Sequence, residues 1–75
     1  MNRCEQAIVK IMTQEGCVSQ KTMITPDDLF AKCAKLGFTD SEEVSEAIII
    51  LIDYDILEYE MDENLQTTQL WLLQY

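Results

Sequence analysis

Apolar positions recur along the chain with two different periods, and the change falls close to Asp55. From Asn2 to Glu15, Cys4, Ala7, Ile8, Ile11 and Met12 follow the i, i+3, i+4 spacing of one buried helix face. Gly16 is placed to end that helix in the left-handed conformation. Lys21 to Ile24 is a short extended piece, with Met23 or Ile24 able to turn inward. The second helix is announced by chemistry as well as by period. Thr25 suits the N-cap, Pro26 the first helical position, and Asp27 and Asp28 the positive end of the helix dipole. Leu29, Phe30, Cys33 and Leu36 form its apolar stripe, Gly37 caps it, and Phe38 supplies the hydrophobic contact that accompanies such a cap.

A third helix begins near Thr39 to Ser41, where Thr39 with Glu42, or Asp40 with Glu43, matches a capping box. At about 100° per residue, Val44, Ala47, Ile48 and Leu51 share one face, with Ile52 on its edge. The helix is expected to stop near Tyr54–Asp55. From Ile56 the period becomes two: Leu57, Tyr59 and Met61 alternate with Glu58 and Glu60, the pattern of a half-buried strand. Asp62-Glu63-Asn64 is turn chemistry, with the loop running to about Thr67, and Leu70 to Tyr75 is a returning strand. The 75 residues are expected to form one domain spanning 1–75. The expected class is α+β: three helices and a small antiparallel sheet with a β-hairpin.

Charge changes the picture most. The chain carries a net charge of −9, and it is unevenly placed. Residues 1–37 hold five basic and four acidic side chains; residues 38–75 hold ten acidic ones and no Lys or Arg. Phosphate binding draws its affinity from Lys and Arg that displace counterions, and the second half offers none. An acidic surface favours a basic partner and steers association with it.

The order helix, short strand, helix, helix, strand, loop, strand resembles the winged-helix family over almost the whole chain. MITPDDLFAKCAKLGF, EEVSEAIIILIDYDILEYEMDEN and LWLL look like the family's second helix, third helix with hairpin, and closing strand. The resemblance implies a third helix in the position that enters the DNA major groove in DNA-binding members. Opposite the face centred on Val44, that helix carries Glu42, Glu46, Ile49 and Asp53, flanked by Ser45 and Ile50. None is one of the Arg, Lys, Asn or Gln side chains that usually read base edges. The hairpin that would lie on a phosphate backbone carries Glu58, Glu60, Asp62 and Glu63. The sequence therefore argues against direct DNA binding through this face.

A hydrophobic spot ringed by acid suits a different partner, a basic or amphipathic helix. Such a helix packs its apolar side while its Lys and Arg meet the rim. The expected contact residues are Glu42, Glu46, Ile49, Ile50, Asp53, Glu58 and Glu60. Acidic winged helices that dock proteins are similar in layout. They include the C-terminal domain of the middle subunit of replication protein A and the C-terminal domains of minichromosome-maintenance helicase subunits. The resemblance implies a place in a DNA replication, repair or transcription assembly. Two other readings stay open: a small phage or mobile-element protein that imitates DNA charge, and a DNA-binding regulator that uses Lys32 and Lys35. Self-association through the first helix or the last strand also stays open.

Catalytic chemistry finds little to work with. There is no His, no Gly-rich phosphate loop and no zinc spacing, so neither an enzyme activity nor a cofactor or metal is expected. Cys4, Cys17 and Cys33 are an odd number without metal-type spacing. Cys4 and Cys33 fall on apolar helix faces, whereas Cys17 is assigned to a loop. Three reduced thiols point to an intracellular compartment, nuclear in a eukaryote and cytoplasmic in a prokaryote or phage. The longest uncharged run, Gln66 to Tyr75, is too short to span a bilayer, and no signal peptide is visible.

Overall fold

The computed structural model of the chain describes residues 1–18 and 22–73. Its elements are α1 (Arg3–Gln14), α2 (Pro26–Lys35), α3 (Ser41–Asp53), β1 (Leu57–Met61) and β2 (Thr67–Leu72). Three helices followed by an antiparallel hairpin give an α+β fold with a winged-helix-like layout.

Each helix starts on a side-chain cap. Asn2 Oδ1 accepts from Glu5 N–H at 2.8 Å, Thr25 Oγ1 from Asp28 N–H at 3.2 Å, and Asp40 Oδ1 from Glu42 N–H at 3.0 Å. These bonds satisfy amides that the helix itself leaves without partners. All three helices also end alike. Gly16, Gly37 and Asp55 sit at positive φ, and the next residue donates back into the last turn. The bonds are Cys17 N–H to Met12 O at 2.9 Å, Phe38 N–H to Cys33 O at 3.0 Å, and Ile56 N–H to Leu51 O at 2.9 Å. The third such end uses an aspartate, which tolerates the left-handed region better than most side chains.

β1 and β2 pair with Leu57 opposite Leu72 and Tyr59 opposite Leu70, and a bulge follows Glu60. The extended piece before α2 contributes a bridge, Ile24 to Leu70, on the other edge of β2. The expected strand there is thus reduced to isolated bridge positions, Thr22 and Ile24, within the described residues; Lys21 lies outside them. The returning strand begins earlier than expected, at Thr67, while Gln74 and Tyr75 lie outside the described residues.

One cluster forms the core. Ile8 and Met12 of α1, Leu29 and Cys33 of α2, Val44 and Leu51 of α3, and Leu57 and Leu70 of the hairpin are all buried within it. Burial stops short of the hairpin's far end, which corrects the half-buried reading of β1. Leu57 is buried, but Tyr59 and Met61 are exposed, because the strand runs out beyond the helices that cover its base. Leu36 is also exposed rather than part of the α2 stripe, since the helix has already ended at Lys35. Cys17 lies in a loop, as expected, yet it is buried and belongs to the same core cluster as Cys4 and Cys33.

Candidate functional site

The outward side of α3 and the hairpin together form the surface of interest. Glu42, Glu46, Ile49 and Asp53 fall within one stripe of α3, opposite the buried Val44 and Leu51. All four are exposed, and Ile49 is 57% exposed. Ile50 is half-buried and lies on the flank shared with Glu43. Glu58 and Glu60 are also exposed. They share the side of the hairpin that carries Gln69 and Trp71, away from Leu57, Leu70 and Leu72. The expected contact residues therefore divide between two surfaces: the α3 stripe and the outer hairpin face.

Ile49 has a second neighbourhood that sequence reasoning missed. It stands at the edge of an open cleft of about 690 Å³ between the start of α2, α3 and the hairpin turn. Thr25, Pro26, Asp27 and Phe30 line one wall, Ser45, Ile48 and Ile49 another, and Leu65 to Thr68 a third, with buried Leu70 also contributing. Leu65 is the surprise, at 75% exposure and φ +60°. Its signal in the sequence is a lone large apolar residue within the polar turn DENLQ.

A carboxylate fixes this turn. Asp62 Oδ1 accepts from Asn64 N–H at 2.9 Å and from Gln66 N–H at 3.0 Å. Asp62 N–H donates to Gln66 O at 3.0 Å, and Leu65 N–H donates to Asp62 O at 3.1 Å. The turn is thus held by its own first residue.

Electrostatics around the cleft are one-sided. Asp27 lines it, Glu46 lies one helical turn before Ile49, and Asp62 and Glu63 precede Leu65. No Lys or Arg among the described residues lines it. Lys32 is engaged elsewhere: its Nζ lies 3.6 Å from Glu15 Oε1 and 3.7 Å from Asp28 Oδ2. The first contact joins the end of α1 to α2, and the second is an i, i+4 pair within α2. A smaller apolar hollow of about 500 Å³ lies among Met1, Val9, Val18, Ile56 and Leu72 on another part of the surface. No helix among the described residues is long and apolar enough to cross a membrane.

The three thiols are free and buried. Burial raises the pKa of each, and that of Cys33 reaches about 11, with Cys4 adding to the effect. Such thiols stay protonated and unreactive at neutral pH. No protein-family model, curated protein or solved structure matches the chain.

Proposed function

We propose that the chain is a non-enzymatic winged-helix docking module. It receives a basic or amphipathic segment of a partner protein within a DNA replication, repair or transcription assembly. One observation carries the reading: Ile49 is 57% exposed within a stripe of carboxylates, at the place where a DNA-reading helix would present Arg or Asn. A large apolar side chain left in water beside fixed negative charge suits a partner that brings both an apolar face and Lys or Arg. The helix keeps the exposed position of a reading helix and recognises a protein instead.

The alternative of DNA-charge imitation draws on the carboxylates alone, including Glu58 and Glu60 on the outer hairpin face. The two readings separate by what each needs. Docking needs Ile49, whereas imitation needs only spaced charge and collapses with salt. The test is affinity capture from nuclease-treated lysate with wild type and Ile49→Glu side by side, each checked by circular dichroism. Docking predicts a protein retained by wild type and lost by the variant at unchanged helicity. A DNA-binding protein held by both and released by moderate salt would sink it in favour of imitation.

A further inference from the structure

The cleft beside Ile49 has two apolar lips, and the second is the less expected. Leu65 is 75% exposed and sits at φ +60°, a conformation that favours Gly or Asn. A leucine here carries backbone strain without gaining burial. Local rules of this kind are most often broken where a side chain serves recognition. The strain is also held in place: the Asp62 carboxylate binds the amides on both sides of Leu65, those of Asn64 and Gln66, at 2.9 and 3.0 Å. The turn is therefore built to present this residue in one position.

Resting on the docking reading above, we infer that the partner's helix seats its apolar side in the cleft between Ile49 and Leu65, with Leu65 as the anchor contributed by the hairpin. Pro26 and Phe30 form the α2 wall, and Ile48 lies at the buried base. A volume of about 690 Å³ open to solvent admits a row of side chains from one helix face. Charge selects the occupant. The acids around the cleft repel nucleic acid. A second copy of this chain also brings a net charge of −9 and the same acidic rim to any symmetric contact. A helix with apolar residues at i, i+3, i+4 and i+7 and Lys or Arg on its flanks matches both the walls and the rim.

The anchoring role and the strain make opposite demands on one substitution. Leu65→Gly relieves the backbone and removes the anchor. Leu65→Asn also tolerates the left-handed conformation and removes the apolar side chain. The probe is a synthetic Leu/Lys amphipathic helix of about 18 residues, beside a control with every Leu replaced by Ser. Binding is followed by amide shifts of labelled protein at physiological salt, and each variant is melted.

Wild type is expected to bind the Leu peptide with shifts at Phe30, Ile49, Leu65 and Thr67. Both Leu65 variants should bind about tenfold or more weakly. Leu65→Gly should nonetheless melt higher by roughly 2–6 °C. Undiminished binding by both Leu65 variants, with binding still lost in Ile49→Glu, would overturn the cleft assignment and leave the docking reading standing. Equal binding of the Ser control, or no binding of the Leu peptide, would overturn both. Dimerisation of the free protein through the cleft, lost in Leu65→Asn, would replace the partner helix with a second copy.

Discussion

Ile24 and Leu70 exchange both of their backbone hydrogen bonds, Ile24 N–H to Leu70 O at 2.9 Å and Leu70 N–H to Ile24 O at 2.8 Å. This bridge places β2 between Ile24 and β1. It also ties the segment entering α2 to the hairpin, so two walls of the cleft share one anchor. Leu70 is fully buried between them. Leu70→Ala is expected to cost about 2–5 kcal/mol, because the cavity it leaves lies where α2 and the sheet meet. Urea denaturation measures the loss; a cost below about 1 kcal/mol would mean that Leu70 does not hold the two together.

Asp62 is expected to matter to the hairpin turn more than to the core. Asp62→Ala removes the acceptor of two amide bonds on an exposed turn and should cost about 1–2 kcal/mol. Hydrogen exchange at Asn64 and Gln66 should quicken while that of Leu51 stays slow. Unchanged exchange at the turn would show that Asp62 does not fix Leu65.

Gly37 tests the helix ends. It sits at φ +98° with open space where a Cβ would stand, so any cost of a side chain is conformational and not a clash. Gly37→Ala is expected to destabilise the fold by about 1–2 kcal/mol. Thermal melting checks it, and a neutral result would mean that α2 can end another way.

The buried thiols set an alkaline limit. The folded chain holds their protons more tightly than the unfolded chain does. Their contribution is therefore present in full below the ordinary thiol range and is lost as pH rises toward about 11 for Cys33. Urea midpoints measured from neutral pH upward should fall through that window. Cys33→Ala should fall less steeply than wild type; identical slopes would assign the alkaline loss to other groups.

Much of this fold was legible because local chemistry and global packing agree. Thr25-Pro26 and Gly37 mark the ends of α2, and the spacing of Val44, Ala47, Ile48 and Leu51 marks the inner face of α3. What escaped was the reach of the core. Alternation assigns Tyr59 and Met61 to the inner face of β1, but period alone does not show that the helices cover only Leu57 at the strand's base. Cys17 escaped for a related reason. It follows the Gly16 turn, yet its carbonyl receives Leu72 N–H at 2.7 Å, a long-range contact that draws the residue inward. At the site, the α3 stripe followed from helical spacing, whereas the cleft needed Leu65, Phe30 and Ile49 brought together from three separate segments.

The sheet's asymmetry bears on aggregation. β2 is guarded on both sides, by β1 and by the bonds to Ile24 and Cys17, so its edge is not free at Leu70 or Leu72 to recruit another strand. β1 ends the sheet, and its outer edge has no strand beside it among the described residues, the kind of edge that can pair with another extended chain. Glu58 and Glu60 stand on that strand as gatekeepers, each meeting its own counterpart if two copies pair there parallel and in register. Carboxylates on the strand that ends the sheet thus act against the templating of fibres by like chains.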